Sequence, residues 1–222
     1  MQNAVSMFNY LSVLPYNIEA KGVVLVESKP YYFAVAAITI DGFIARFPGH
    51  KADWTSKEDK THLHKMEAKA DLLLLARKTY EIAEKELSGK NCLVLTTKVG
   101  GIERKGKNLV YINPKKKDVQ EFVEEKGYKK ICVLGGRAAY TYALEKGLID
   151  DLFITVEPIV FGKGIPMFDK EVELKRFRLK SVKKLNKQGT VLLHYGKNLF
   201  SKRFAKKGLR QNLFSKRFAK IA

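Results

Sequence analysis

The sequence predicts an α/β protein built on a central sheet that is mixed but mostly parallel. Short apolar segments of strand length alternate with helix-like segments from residue 31 to residue 147. Most of these strand segments are continuously apolar, as expected for strands that are buried on both faces. The last three strand-like segments follow one another without helices, which indicates an antiparallel end. The pattern gives about eight strands flanked by about four helices.

The first half of the predicted sheet begins with YYFAVAAITI at residues 31–40, after which DGFIA turns the chain. The next segment, WTSKEDKTHLHKMEAKA, repeats apolar residues at helical spacing, and Thr55 or Ser56 is its expected N-cap. DLLLLA is a strand that runs directly into a helix in RKTYEIAEKEL. These elements form the start of a β-α-β-α succession.

The second half continues with strands in KNCLVLTT and KNLVYIN and a helix in KKDVQEFVEEKG, which ends at Gly127. KKICVL is the next strand, and the helix that follows it ends at Gly147. Three β segments complete the sheet, namely DDLFITVEPIVFGKG, ELKRFRLKSVKKL and TVLLHYG.

A chain of 222 residues, 45% of them apolar, is long enough for one well-buried core and short for two domains. We expect one domain over residues 30–196, an N-terminal extension over 1–29 and a basic tail over 197–222. GVVLVES in the extension is compatible with one edge strand. No apolar run reaches the roughly 20 residues that span a bilayer, and no cation precedes Lys21, so we expect a cytoplasmic protein without a transmembrane segment.

The net charge of +19 comes from 42 Lys and Arg against 23 Asp and Glu. Residues 197–222 hold nine of these cations and no acid, and NLFSKRFAK at 198–206 recurs without a mismatch at 212–220. The repeat is typical of a terminal duplication with little structural consequence. It is also compatible with a basic amphipathic arm that binds RNA or an anionic membrane surface.

The histidines and cysteines do not predict a metal site. Cys92 and Cys132 lie in separate apolar runs without CxxC spacing, as expected for two buried thiols in a reducing compartment. His62 and His64 diverge on a helix, because residues two apart do not share a face.

Polar residues follow three of the predicted strands, and the first group is Arg77, Lys78 and Thr79. They begin a helix immediately after DLLLLA. Two cations, a hydroxyl and the free N–H groups of a helix N-terminus converge there, which is the chemistry that binds a phosphate.

The second group is Thr96 and Thr97 at the end of a strand, and the third is the turn Gly135, Gly136 and Arg137, where glycines allow an anion to approach the backbone. Each group alone is typical of an ordinary turn. Three groups at successive strand ends favour one extended polyphosphate ligand, a dinucleotide. Neither GxGxxG nor GxxxxGK[ST] occurs, so the Rossmann fingerprint and the P-loop are excluded.

Several segments carry a family resemblance. ARKTYE resembles the cofactor turn of dihydrofolate reductases, and VLGGRAAY resembles their glycine pair and the helix after it. KPYYFAVAAITIDGFIA and GLIDDLFITVEPIVFGKGIPMF are more similar to the reductase, or C-terminal, domain of the bifunctional riboflavin-biosynthesis deaminase/reductase (the RibD C-terminal domain). That domain has the three-layer dihydrofolate reductase-like fold. The resemblance extends in order over about residues 30–195.

The resemblance implies NADPH as the hydride donor. It also implies a cis peptide bond between Gly135 and Gly136, and Ala76 stands where a glycine is usual. The phosphates would be held at the three strand ends, with the 2′-phosphate near the basic pair, and the nicotinamide would lie beside the first strand. The implied cofactor contacts are Ala37, Thr39, Asp41, Gly42, Arg77, Lys78, Thr79, Thr96, Thr97, Gly135, Gly136, Arg137 and Ala138.

The implied substrate side is formed by Trp54, Ser56, Asp59 and Gly164. Trp54 and Asp59 have the spacing of the tryptophan and the substrate carboxylate of dihydrofolate reductases, so Asp59 is the candidate catalytic residue. Ser56 and Asp59 also have the spacing of a helix capping box, and a purely structural role for them stays open.

The function that the resemblance implies is reduction of 5-amino-6-(5-phosphoribosylamino)uracil or a related diamino-pyrimidinone, as in riboflavin biosynthesis. The H-x-E and P-C-x-x-C deaminase motif does not occur in the sequence. The alternatives are reduction of dihydrofolate, reduction of another small carbonyl or imine, and binding of RNA or an anionic membrane through the tail. A homodimer is the expected assembly, because members of the family are commonly dimers.

Overall fold

A nine-stranded sheet forms the centre of the fold in a computed structural model, which describes residues 28–169 and 171–198. All the helices and strands below belong to one compact unit that begins at Tyr31. The edge strand in GVVLVES and the repeated NLFSKRFAK lie outside the described residues, apart from Asn198 at the start of the first copy. Those two predictions therefore stay predictions.

The described residues form eleven strands and four α-helices, and a single 3₁₀ turn precedes the first α-helix. No helix among them is long and apolar enough to cross a membrane. In chain order the elements are β1 (Tyr31–Thr39), β2 (Phe43–Ala45), the 3₁₀ turn (Ala52–Trp54), α1 (Lys57–Glu67), β3 (Leu72–Ala76), α2 (Arg77–Ala83), β4 (Cys92–Leu95), β5 (Ile102–Arg104), β6 (Leu109–Ile112), α3 (Val119–Glu125), β7 (Lys130–Gly135), α4 (Arg137–Glu145), β8 (Ile149–Glu157), β9 (Ile165–Pro166), β10 (Phe177–Lys184) and β11 (Val191–Lys197).

The strand order of the main sheet is β10-β11-β8-β1-β7-β3-β4-β6-β5. Strands β8, β1, β7, β3, β4 and β6 pair with one another in parallel. The pairings β10–β11, β11–β8 and β6–β5 are antiparallel. The predicted fold class is thus confirmed, but the sheet has antiparallel strands at both ends. Strand β5 was not predicted, because it is only three residues long and mostly exposed. The segment DGFIA was predicted to be a turn, whereas its last three residues form β2, which pairs with β9 in a separate small sheet.

The two faces of the sheet bury two apolar layers. Alternate residues of β1 divide between them, with Tyr32 and Ala34 on one face and Phe33 and Val35 on the other. The first face packs against α3 and α4, and the second packs against residues of α1 and α2. Helices on both sides of a buried sheet form the predicted three-layer arrangement.

The helices differ in how their N-termini are satisfied. Ser56 caps α1 by accepting a hydrogen bond from the Asp59 N–H (3.2 Å), and Asp118 caps α3 by accepting from the Gln120 N–H (2.7 Å). α2 and α4 begin after Ala76 and Gly136, which have no side chain that can cap a helix. The first N–H groups of α2 and α4 are therefore left for another acceptor.

The edge strand β10 is held across its neighbour by an ion pair. A register shift between Leu179 and Ser181 marks a bulge, and the ammonium of Lys180 donates to Asp151 on β8. Gly196 on β11 makes this crossing possible, because a Cβ there would lie 2.2 Å from the Lys180 Cε. A bulge and an inward-pointing lysine both prevent another strand from adding to this edge.

Asp151 accepts three side-chain hydrogen bonds in all. The other two come from the Tyr31 hydroxyl (2.5 Å) and from the His194 Nε2 (3.0 Å). Burial alone would raise the pKa of Asp151, but the bonds from Lys180, Tyr31 and His194 lower it below its usual value. The start of β8 is therefore bonded to β1, β10 and β11.

Candidate active site

A cleft of about 890 Å³ opens where β3, β4 and β7 give way to loops and helices. The cleft also borders β1, the start of α1 and the segment 47–52. Its position follows from the topology, because neighbouring parallel strands end at the same edge of a sheet and leave a crevice there. Its volume is in the range of small-molecule and cofactor sites, roughly 300 to 1,000 Å³.

Most of the predicted cofactor contacts meet in this cleft, although they come from four separate segments. The sheet order places β7, β3 and β4 side by side, so the three predicted phosphate groups become neighbours. The predicted cofactor residues that line the cleft are Ala37, Arg77, Lys78, Thr79, Thr96, Thr97, Gly136, Arg137 and Ala138.

The two helix N-termini without side-chain caps both face the cleft. Residues 76–79 at the start of α2 and residues 136–138 at the start of α4 line the same wall. The two turns approach closely, because a Cβ on Gly136 would lie only 2.7 Å from the Thr79 Oγ1. Free N–H groups of two adjacent helix ends, with hydroxyls between them, form an arrangement that suits an anion with more than one phosphate.

The Gly135–Gly136 peptide bond is cis, as the resemblance predicted. Gly135 has φ +100°, and a Cβ there would lie 2.7 Å from the Tyr140 ring. That ring is itself held, because the Tyr140 hydroxyl donates to the Val35 carbonyl (2.6 Å) in the buried core. Position 135 therefore requires glycine for both backbone conformation and space.

Replacement of Gly135 by alanine should destabilise the fold by about 2 to 4 kcal/mol, because the left-handed backbone and the overlap with Tyr140 add together. Urea unfolding followed by circular dichroism measures this free energy. Gly106→Ala is the matched control, because Gly106 has φ +89° but no atom within 4 Å of an added Cβ. Equal losses in the two variants would show that contact with the Tyr140 ring contributes nothing.

Cations line the cleft where α2 and α4 begin. Arg77 donates to Glu81 one turn along α2, and the Arg137 Nε lies 3.0 Å from the Asp169 Oδ1. Lys78 is exposed and pairs with no acid among the described residues. The positive charge is thus in place at this end without a ligand, and both paired arginines are partly exposed.

Asp59 is the buried carboxyl of the cleft, with only 5% of its surface exposed. Burial raises its pKa above the usual value of a carboxyl, and the nearby hydroxyls of Thr155 and Thr55 oppose this shift only in part. The neighbouring carboxyl of Glu157 raises it further. A carboxyl with a raised pKa keeps its proton to higher pH and can then donate it.

The capping box that the sequence left open is only half formed. The Ser56 Oγ caps α1, but the Ser56 N–H donates to the Glu157 Oε1 (2.8 Å) and not to Asp59. The other Glu157 oxygen accepts from the Thr190 hydroxyl (2.7 Å). Glu157 therefore takes the place that a capping-box carboxylate would have, which leaves the Asp59 carboxyl for the cleft.

Five predicted site residues besides Gly135 do not line the cleft. They are Thr39, Asp41, Gly42, Ser56 and Gly164. A Cβ on Gly164 would lie 2.4 Å from the Ala45 carbonyl oxygen, so this glycine lets the 162–166 segment pack against β2. Contacts of these residues with a ligand stay predictions.

Asp41 forms a hydrogen-bond network that joins two loops. Its carboxylate accepts from the Thr39 hydroxyl (2.5 Å), from the Phe161 N–H (3.2 Å) and from the Gly162 N–H (2.7 Å). The Thr39 bond, followed by the two backbone bonds, lowers the pKa of Asp41. The network fixes the loop after β8 beside the loop that follows β1.

An aromatic group that was not predicted from the sequence lies at the cleft beside Trp54. The Phe161 ring lies 5.1 Å from Trp54 and 5.8 Å from His50, and Phe47 lies 4.9 Å from His50. His50 is fixed further because its Nδ1 accepts the Arg46 N–H (3.1 Å). Only Trp54 was singled out by a motif, because the other rings come together through loop contacts that no spacing reports.

Comparison with known proteins identifies the family. The model of the RibD C-terminal domain matches residues 30–92 and 91–191. The chain belongs to the RibD C-terminal domain family. The uncharacterized Bacillus subtilis protein YwjB is 26% identical over 167 residues, which cover 72% of this chain and 93% of YwjB.

Solved structures show the same RibD-type fold. A pyrimidine reductase-like protein from Corynebacterium diphtheriae matches with a TM-score of 0.61 and 16% identity, over 75% of this chain and 91% of that one. Acinetobacter baumannii RibD matches with a TM-score of 0.63 and 17% identity, over 77% of this chain and 58% of that one. Identity this low supports the fold alone.

Membership in the RibD C-terminal domain family points to an oxidoreductase of the pyrimidine-reductase type. A bifunctional deaminase and 5-amino-6-(5-phosphoribosylamino)uracil reductase from Thermotoga maritima has the same fold, with a TM-score of 0.58 and 18% identity over 78% of this chain and 58% of that one. The roles of individual residues in this chain are predictions from the geometry of its own cleft.

Proposed function

We propose that this protein is an NADPH-dependent reductase of a phosphoribosylamino-pyrimidine such as 5-amino-6-(5-phosphoribosylamino)uracil. The observation that carries the proposal is the pair of helix N-termini without side-chain caps, α2 and α4, which face one cleft beside cations and hydroxyls. A dinucleotide cofactor has phosphates that helix N-termini can bind, and it is long enough to contact both α2 and α4.

The residues of the cleft fit NADPH. The N–H groups of Arg137 and Ala138 would bind the pyrophosphate, and the close approach of Gly136 to Thr79 leaves no side chain in the way. Arg77, Lys78, Thr96 and Thr97 would surround the 2′-phosphate, which needs countercharge and hydroxyl donors. Ala37 would border the nicotinamide. Bound NADPH supplies the hydride for the reaction.

Asp59 would supply the proton of the reaction. In the reduction, the ribosyl ring opens to a C=N imine and its ring oxygen becomes a hydroxyl. The imine carbon then receives the hydride and the imine nitrogen receives a proton, so C=N becomes CH2–NH and the ribosyl group becomes ribityl. The buried Asp59 carboxyl, with its raised pKa, is the proton donor in the cleft. The aromatic group around Phe161 would exclude water from that end.

Reduction of dihydrofolate is the second candidate, because one specific observation favours it. Trp54 and Asp59 both line the cleft, and the Trp54 Nε1 is buried without a hydrogen-bond partner among the described residues. An indole donor beside a buried carboxyl suits a heterocycle that has both acceptor and donor atoms at one edge.

The test is NADPH oxidation at 340 nm with the phosphoribosylamino-pyrimidine and with dihydrofolate, after NADPH binding has been measured by fluorescence. Turnover of the pyrimidine supports the leading proposal, and turnover of dihydrofolate alone supports the second. Absence of NADPH binding by the full chain would overturn both.

The preference for NADPH over NADH should fall by about 10- to 100-fold when Arg77 and Lys78 are both replaced by glutamine, because the 2′-phosphate loses its countercharge. Fluorescence titration of both cofactors measures the ratio. Lys85→Gln is the control, since Lys85 is an exposed cation that does not line the cleft. If the affinities for NADH and NADPH fall equally, these cations do not contact the 2′-phosphate.

A further inference from the structure

We infer that the edge strand β10, with the residues on either side of it, is a docking surface for an anionic lipid bilayer. We call residues 174–187 the basic edge. The surface does not include any residue that lines the cleft, so the inference is independent of the proposed function.

The basic edge has charge of one sign only. Its sequence, LKRFRLKSVKKLNK, contains seven Lys and Arg and no acid. Lys175 pairs with Glu173 and Lys180 with Asp151. The other five cations, Arg176, Arg178, Lys183, Lys184 and Lys187, form no ion pair with another described residue and are exposed. Their positive charge is therefore free to interact with an anionic surface.

Exposed aliphatic side chains lie between these cations. Leu174 is 82% exposed, Val182 is 58% exposed and Leu179 is 49% exposed. Large apolar side chains on an edge strand would normally favour pairing with another strand, but the bulge and the Lys180–Asp151 ion pair block that pairing here. These side chains are thus presented to whatever lies outside the sheet.

The charges and the apolar residues together favour a bilayer over other partners. A second copy of the chain would bring a basic edge against another molecule of net charge +19, and like charges repel. Single-stranded nucleic acid is bound largely by stacking on aromatic rings, whereas the exposed apolar residues of the basic edge are aliphatic. Cations that attract anionic headgroups, with aliphatic side chains that enter the interface, are the features of peripheral membrane surfaces.

The experiment is co-sedimentation of the full chain with phosphatidylcholine vesicles and with vesicles that contain about 30% phosphatidylglycerol. The triple variant Val182→Ser, Lys183→Gln and Lys184→Gln tests the basic edge while the tail stays intact. The control is Ile102→Ser, Lys115→Gln and Lys116→Gln, which makes the same changes at exposed positions near the opposite edge strand, β5.

We expect binding to the anionic vesicles alone, a loss of at least about tenfold at about 0.5 M salt, and a loss of at least about tenfold in the basic-edge variant but not in the control. Circular dichroism confirms that each variant is folded. Equal binding by the wild type and the basic-edge variant would assign any membrane affinity to another part of the chain and overturn the inference. Binding of single-stranded RNA that the variant loses, without vesicle binding by the wild type, would also overturn it.

Discussion

Gly136→Ala is expected to lower the affinity for NADPH by roughly 5- to 150-fold. The added Cβ would lie 2.7 Å from the Thr79 Oγ1, so the turn before α4 and the start of α2 would have to move apart. Such overpacking costs about 1 to 3 kcal/mol, and here it falls on the two helix ends that would bind the phosphates. Fluorescence titration with NADPH measures the loss.

The backbone of Gly136 has φ −73°, outside the left-handed region that favours glycine, so a left-handed backbone is not the cause of the expected effect. Gly100→Ala is the matched control, because Gly100 has open space around an added Cβ. Unchanged affinity in Gly136→Ala would mean that the cofactor does not lie across these two turns.

Asp59→Asn is expected to lower turnover by roughly 10²- to 10⁴-fold, because the amide has no proton to donate. In the wild type, turnover should fall as the pH rises through the raised pKa of Asp59, since the carboxyl then loses its proton. The pH profile of kcat measures this limb, and it should be absent from the variant. Asp53→Asn, at a carboxyl with 78% of its side chain exposed, should leave the profile unchanged.

Asp59→Asn is also expected to remove a loss of folding stability that the wild type undergoes as the pH rises. A carboxyl whose pKa is raised in the folded state favours the fold when it is protonated, and this contribution is lost as the pH rises through the folded pKa. Between pH 4 and neutral pH, the melting temperature of the wild type should therefore rise less than that of Asp59→Asn. A rise in the variant that is equal to or smaller than the rise in the wild type would contradict the assignment of a raised pKa to Asp59.

The parts of the fold that the sequence predicts are those set by local pattern. The parallel strands β3, β4 and β7 are continuous apolar runs, and the groups at their ends could be named from ARKTYE, LTT and LGGR. Topology then makes these groups neighbours, because parallel strands that lie side by side end at one edge. The wall of the cleft at these strand ends, to which we assign the cofactor, was predictable for that reason.

The part of the cleft near Trp54 and Asp59, to which we assign the substrate, depends on contacts that no sequence spacing reports. Glu157 lies within an apolar strand segment and bonds to Ser56, which is 101 residues away. The Phe161 ring contacts Trp54 and His50, and its N–H donates to the Asp41 carboxylate. Thr39 and Asp41, which the family resemblance assigned to the nicotinamide, form this network without lining the cleft.

The Asp41 network joins a part of the cleft that the sheet forms to a part that loops form. Strands β3, β4 and β7 belong to the central sheet, whereas the aromatic group is carried by loops that join the sheet through Thr39 and Asp41. We therefore expect that loop residues such as Phe47 and His50 can be exchanged, in evolution or in a mutant library, without disturbing the strands to which the proposal assigns the cofactor. A change of the proposed substrate would keep Asp41 and vary the rings around it.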